Sequence, residues 1–232
     1  MLFKKILAIS VLIFISLSKL WAGDVAVFVD LGFSADGRAY MFGQYGVLSP
    51  SLRPWAEIFV VDVPANNFVP NGRLAQTQQA PIRAGQDGSG AFFRLLADNT
   101  AFAARHGVNF VNQGQPLYIS RDENPPAAGE KIDFRDFVSG NSYNAELIPT
   151  IRGSGMNTTS SFIINMQVRN SSGQVRNYTV GTPQVVRQRV ASYNIKRVLI
   201  DAGGNSIIFV IEMRRVSETG HDIRYMIEAQ RL

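Results

Sequence analysis

The sequence predicts a mainly β protein (α+β), with antiparallel meanders of blade-like three-stranded units at both ends and one central helix. Three observations carry this prediction. Apolar residues alternate from residue 25 onward, the second half is filled with Val, Ile, Phe and Tyr, and a single segment has clear helical spacing. The chain of 232 residues is long enough to bury the core of one well-packed domain.

The first residues are typical of a secretory signal. Lys4 and Lys5 precede an apolar run at residues 6–17, and Ala22 is a small residue suited to cleavage. We therefore expect a signal peptide at residues 1–22 and one mainly β domain at residues 23–232. The alternative is an uncleaved anchor helix, although the apolar run is shorter than the ~20 residues that a bilayer span needs. After signal removal we expect no membrane span.

The N-terminal meander is predicted at residues 24–63. Alternating apolar residues place one set of side chains on a single strand face: Val25, Val27, Val29, Leu31 and Phe33. The turn "SADG" leads into a second strand, and "EIFVVDVP" forms a third strand that Pro64 ends.

A loop and a helix are predicted at residues 64–107. Residues 64–88 are rich in Pro, Gly, Asn and Gln, which indicates a long surface loop with one short helix near Leu74. The following segment predicts one continuous helix, begun by Ser89 and ended by Gly107 after His106. Its apolar face comprises Phe92, Leu95, Leu96, Phe102 and Ala103.

The C-terminal β region is predicted at residues 108–232. "PLYISRD" is a short strand and "ENPPAAGEK" a second loop. "SFIINMQVRN" and "VRNYTVGT" form a hairpin around "SSGQ". "VVRQRVASYNIKRVLI" is a strand with a bend near Ser192, and two further apolar runs close the chain.

The stretch "FSADGRAYMF" at residues 33–42 aligns without gaps to "IDAGGNSIIF" at residues 200–209. We interpret Asp36 and Gly37, and Gly203 and Gly204, as turn-forming residues. The second copy has Gly203 where the first has Asp36, which favours a turn over a ligand or an acid at Asp36.

These two meanders resemble the blade repeat of TolB-type β-propellers, although Ala35 stands where proline is usual and a closed propeller is not expected. Over its whole length the chain resembles a family of predicted secreted bacterial proteins of unknown function. The signal, "FVDLGFSADGRAYMFGQYG" and "FFRLLADNTAFAARHGV" carry this second resemblance. It implies export and little else, because the family supplies no catalytic residues that could be carried over to this chain.

Arginine dominates the basic charge. The formal net charge of +5 falls to +2 when Lys4, Lys5 and Lys19 leave with the signal. The candidate binding residues are the aromatic Tyr40, Tyr45 and Trp55, with Arg214 and Arg215. The alternative for the aromatic rings is that they pack in the core. The alternative for the arginines is that the basic C-terminal half faces the acidic N-terminal half, or that they are ordinary outward strand residues.

Catalytic motifs are sparse. The chain has no cysteine and only His106 and His221, and it contains no G-x-S-x-G motif. We therefore predict no catalytic residue, no metal site and no cofactor. Carboxylates suited to glycoside hydrolysis are present, but no pair stands out: Glu57, Asp62, Asp133, Asp136 and Glu146.

The sequence thus predicts an exported, non-enzymatic binding or scaffold protein of the bacterial periplasm or cell envelope. Its expected partner is another envelope protein or a polymer, and not nucleic acid. The alternative is an extracytoplasmic, carboxylate-dependent hydrolase of a glycan or envelope polymer. A third possibility is a surface module held on anionic lipid or polymer by the arginine-rich C-terminal half. The sequence makes no prediction of oligomeric state.

Overall fold

The computed structural model describes residues 24–121, 129–218 and 220–232. It is mainly β, with antiparallel sheets and one helical region, which confirms the predicted fold class. The predicted signal peptide and part of the loop "ENPPAAGEK" lie outside the described residues.

The first four strands form the N-terminal sheet, an antiparallel meander in chain order. These strands are β1 (Val27–Phe33), β2 (Ala39–Leu48), β3 (Arg53–Asp62) and β4 (Asn67–Thr77). The prediction of a loop at residues 64–88 is wrong for β4, which pairs with β3 along its length. Most side chains of β4 are at least partly exposed, and its composition is accordingly polar. The strand is held by backbone pairing, so the sequence shows no alternation of apolar and polar residues there.

The expectation that the apolar residues of β1 share one face is also wrong. A bulge shifts the β1–β2 register between Asp30 and Gly32. Leu31 therefore packs on the helical side of the sheet and Phe33 on the opposite side, while Val27 is 46% exposed. One extra residue in a strand reverses the faces of all side chains beyond it.

The predicted single helix is two helices, α1 (Ser89–Asp98) and α2 (Thr100–Arg105). The break lies at Asn99, whose backbone is non-helical (φ −128°) and whose side-chain amide donates to the Leu95 carbonyl at 2.8 Å. Gly107, at φ +64°, follows the second helix. The predicted apolar face is confirmed for Phe92, Leu95, Phe102 and Ala103, which are buried against the N-terminal sheet.

The remaining strands form two antiparallel sheets. The central sheet has the order β13-β12-β11-β5, with β5 (Gln115–Ile119), β11 (Val190–Ile200), β12 (Ser206–Ser217) and β13 (Gly220–Arg231). The outer sheet has the order β10-β8-β7-β6, and β9 also pairs with β8. Its strands are β6 (Glu130–Arg135), β7 (Ser142–Arg152), β8 (Thr159–Arg169), β9 (Val175–Val180) and β10 (Arg187–Gln188), with a 3₁₀ turn at Gly155–Asn157.

The layers stack in the order helices, N-terminal sheet, central sheet and outer sheet. Strand β12 shows why the central sheet lies inside: Ile208 and Val210 pack towards the N-terminal sheet, and Ile207, Phe209 and Ile211 towards the outer sheet. A strand buried on both faces needs a continuous apolar run, and "SIIFVI" is such a run. The outer sheet is left with one face away from the core.

Candidate functional site

The structure places two of the three predicted aromatic residues inside the protein. Tyr40 is fully buried, with its ring centroid 4.6 Å from that of Phe33, and Trp55 is 5% exposed. Tyr45 is half-buried beside Phe92. The burial of Tyr40 and Trp55 agrees with the alternative that these rings pack in the core. The role of Tyr40, Tyr45 and Trp55 as a binding face stays a prediction.

Trp55 belongs to a buried clamp with two residues that the sequence analysis did not select. Its indole N–H donates to Asp24 Oδ2 at 2.9 Å, and the Arg224 guanidinium lies 4.1 Å from the Trp55 ring centroid. Arg224 also forms an ion pair with Asp24 Oδ2 at 2.5 Å. Burial raises the pKa of Asp24, and the Arg224 charge acts to lower it. These three residues are far apart in the sequence, so no local motif marks the clamp.

The two predicted arginines are neighbours on β12 and are both half-buried. Consecutive strand residues point to opposite faces, so Arg214 and Arg215 do not form one patch. Burial lowers the pKa of Arg215, and the charges of Arg224 and Arg189 lower it further. Their role as binding residues stays a prediction.

The two similar turns contact each other. Ser206 Oγ donates to the Gly37 carbonyl at 2.8 Å, and Arg231 donates to Ser206 Oγ at 2.8 Å. Asp36 accepts from Ser34 Oγ at 2.6 Å and from the Arg38 N–H at 3.1 Å, which lowers its pKa. Asp36 thus has the hydrogen bonds of a turn residue.

The second turn is held by Asp201, which occupies the position of Ser34 in the first. The Asp201 carboxylate accepts from the backbone N–H groups of Gly203, Asn205 and Ser206. Gly37 and Gly204 adopt φ values of +66° and +68°, a region that favours glycine.

The candidate site is the solvent-facing side of the outer sheet, here called the polar face. Two rows of side chains cross four strands in register. One row consists of Asp133, Asn144, Gln167 and Asn177, and the other of Lys131, Glu146, Asn165 and Thr179. Residues between them along each strand point into the core, as the two-residue period of a strand requires.

Hydrogen bonds between neighbouring strands order the polar face. Asn144 donates to Asp133 at 2.8 Å, and Gln167 donates to Asn177 at 3.1 Å. Lys131 and Glu146 lie 3.3 Å apart in the second row. The side chains of the two rows are therefore held in place by one another.

Two open depressions of about 460 and 360 Å³ lie on this surface. Both are lined by Asn144 and Gln167, so they are adjoining parts of one surface. Asp133, Arg135 and Arg169 line the larger depression, and Glu146 lines the smaller. The sequence carries a signal for this face, since polar and apolar residues alternate in "FIINMQVR", but only strand register aligns the rows.

The carboxylates with raised pKa values lie away from the polar face. Burial raises the pKa of Glu228, which accepts from Asn66 and pairs with Arg187 beside a cavity of about 150 Å³. Burial raises the pKa of Asp30 to about 6, while the Tyr40 hydroxyl and the Gly32 N–H act to lower it.

We predict that Asp30→Asn stabilises the protein at neutral pH. The folded-state pKa of about 6 exceeds the ordinary aspartate pKa of 3.8. The protonated carboxyl therefore favours folding below pH 3.8, and this contribution is lost as pH rises through 6. The variant should gain about 2 kcal/mol over wild type at pH 7.5, after discounting for partial exposure, and almost nothing at pH 4. Urea unfolding at both pH values measures the difference.

Asp36→Asn is the matched control, because hydrogen bonds lower the pKa of Asp36 and its contribution is lost as pH falls. Asp36→Asn should therefore have a lower free energy of unfolding than wild type, and this loss should grow towards neutral pH. An equal gain in the free energy of unfolding of Asp30→Asn at pH 4 and pH 7.5 would contradict the raised pKa of Asp30.

Within the described ranges, no group of three or more His, Asp or Glu side chains is placed to hold a metal ion. No helix among the residues that the structure describes is long and apolar enough to cross a membrane.

The three stacked antiparallel sheets and the ordered polar face define a mainly β protein whose outer sheet presents a polar surface to solvent. Residues 41–231 match the family described as "Predicted secreted protein (DUF2259)", and the chain belongs to this family. The resemblance to a family of predicted secreted proteins of unknown function is thereby confirmed. No curated protein and no solved structure matches the chain. The resemblance of the meanders to propeller blades stays a prediction.

Proposed function

We propose that this secreted protein binds a hydroxyl-rich polymer of the cell envelope, of the glycan class, on the polar face of the outer sheet. The observation that carries the proposal is the pair of side-chain rows crossing four strands. Side-chain amides both donate and accept hydrogen bonds, as sugar hydroxyls and acetamido groups do. A twisted but rigid sheet repeats these groups about every 4.8 Å across the strands, which suits a ligand that itself repeats.

Binding is favoured over hydrolysis by the way the carboxylates are distributed. Asp133 lines the larger depression, Glu146 the smaller, and Glu228 the separate cavity near Asn66. A glycosidase needs two carboxyl groups that flank one bond, with one pKa raised. Asp133 instead accepts a hydrogen bond from Asn144, and Glu146 forms an ion pair with Lys131, so the two carboxylates have separate partners and line separate depressions.

Co-sedimentation with purified peptidoglycan sacculi tests the proposal. The exported form, residues 23–232, should sediment with sacculi in a saturable manner. Asn144→Ala and Gln167→Ala should each weaken binding about tenfold. Each variant removes a side-chain amide that lines both depressions and could hydrogen-bond the polymer. Gln188→Ala is the matched control, since Gln188 is exposed on β10 of the same sheet but lies outside the polar face.

The assignment of the polar face would be overturned if Asn144→Ala and Gln167→Ala bound sacculi as well as Gln188→Ala and wild type do. Incubation with the same sacculi also addresses the hydrolase alternative. Release of soluble fragments that stops in Asp133→Asn or Glu146→Gln would replace binding with hydrolysis as the function of this surface.

A further inference from the structure

The turn between β6 and β7 presents two consecutive apolar side chains to solvent. Phe137 is 86% exposed and Val138 is 82% exposed. Hairpin turns are ordinarily polar, and exposing a phenylalanine beside a valine has a solvation cost. We call Phe137 and Val138 the apolar tip. Their exposure cannot be explained by packing in the core of the protein.

The apolar tip is held rigidly in its outward position. Asp136 is 4% exposed, and its carboxylate accepts from the Val138 N–H at 2.8 Å and from Ser139 Oγ at 2.5 Å. The backbone of the turn is closed by bonds from Asp136 N to the Asn141 carbonyl and from Gly140 N to the Asp136 carbonyl, both 2.9 Å. The structure thus orders the turn while leaving its apolar side chains uncovered.

Positive charge flanks the apolar tip. Arg135, Ser142 and Arg169 are in register across three strands of the outer sheet, and both arginines are exposed. The Arg135 guanidinium lies 6.0 Å from the Phe137 ring centroid. The only carboxylate of the turn itself, that of Asp136, is directed inward onto the turn. The outward charge next to Phe137 and Val138 is therefore cationic.

We propose that this tip docks on the surface of an anionic lipid bilayer, with Phe137 and Val138 inserted at the headgroup level and Arg135 and Arg169 against lipid phosphates. A bilayer surface accepts a convex pair of apolar side chains without a shaped pocket, and aromatic and arginine side chains suit its interface. Anionic lipids add electrostatic attraction for each nearby arginine. The docking would hold the polar face beside the membrane, but it does not depend on what the polar face binds.

Vesicle sedimentation tests the docking. The exported form should bind vesicles of 30% phosphatidylglycerol and 70% phosphatidylcholine, and bind pure phosphatidylcholine far more weakly. Phe137→Ser should weaken the partition coefficient about tenfold, and Arg135→Gln and Arg169→Gln about fivefold each at low salt. The two arginine effects should disappear in 0.5 M salt because screening removes them.

Phe93→Ser is the matched control, since Phe93 is a 64% exposed phenylalanine on α1, away from the tip. Phe137→Trp supplies a second readout: its emission should shift to the blue with anionic vesicles, while buried Trp55 stays unchanged. Asn144→Ala should leave vesicle binding intact, which separates this test from that of the proposed function. The inference is overturned if the anionic vesicles do not bind the protein, or if they bind Phe137→Ser and wild type equally.

Discussion

Replacing Arg224 with alanine is expected to lower the free energy of unfolding by about 3–5 kcal/mol at pH 8. Its guanidinium donates to the carboxylate and to the carbonyl of Asp24, and the side chains of Arg224 and Asp24 are 15% and 5% exposed. Removing one member of a buried pair leaves the other charge without compensation. Urea unfolding of the exported form measures the loss.

The pH dependence of that loss identifies its cause. Burial already raises the pKa of Asp24, and without the Arg224 charge it should rise further. Because a raised folded-state pKa favours the protonated form, the loss in Arg224→Ala should shrink as pH falls from 8 to 4. The double variant Asp24→Asn/Arg224→Ala should recover part of the stability at pH 8, since it buries no charge.

Arg94→Ala is the control for a generic arginine effect. Arg94 forms an ion pair with Asp98 at 3.8 Å, but both side chains are more than half exposed. Its loss should stay within about 0.5 kcal/mol. The clamp is not a stabilising element if Arg224→Ala and Arg94→Ala behave alike.

Gly37→Ala is expected to destabilise the protein by about 3 kcal/mol, through two effects. Gly37 has φ +66°, where a Cβ costs about 1 kcal/mol. A Cβ at Gly37 would also stand 2.5 Å from Asp201 Oδ2. That carboxylate is fixed by three backbone N–H donors in the second turn, so it cannot move without losing hydrogen bonds.

Gly204→Ala separates these two effects. Gly204 has nearly the same backbone angle, φ +68°, but a Cβ there would meet no atom within 4 Å. It should therefore lose only about 1 kcal/mol, and thermal or urea unfolding of both variants gives the comparison. Equal losses at the two glycines would show that the Asp201 carboxylate moves away from the added Cβ without cost, which contradicts the prediction.

The candidate site was only partly accessible to sequence reasoning. Alternation marks Asn165 and Gln167 as residues of one strand face, because their neighbours Ile164, Met166 and Val168 are apolar. The sequence does not say that Asn144 lies beside Gln167, since that depends on the register of β7 against β8. The carboxylates considered for hydrolysis were similarly dispersed by the fold, with Asp136 turned inward to order its own turn.

The sequence by itself determined the mainly β class, both meanders, the turns at Gly37 and Gly204, and membership of a family of predicted secreted proteins. Strand period, turn residues and family similarity are local or linear signals. The tertiary structure alone decided that β4 is a strand, that a bulge divides Leu31 from Phe33, and that the two similar turns meet. It also joined Asp24 to Arg224, which lie 200 residues apart. Backbone pairing and long-range contacts of this kind depend on strand register and on the stacking of sheets. Neither register nor stacking produces a periodic pattern in the amino-acid sequence.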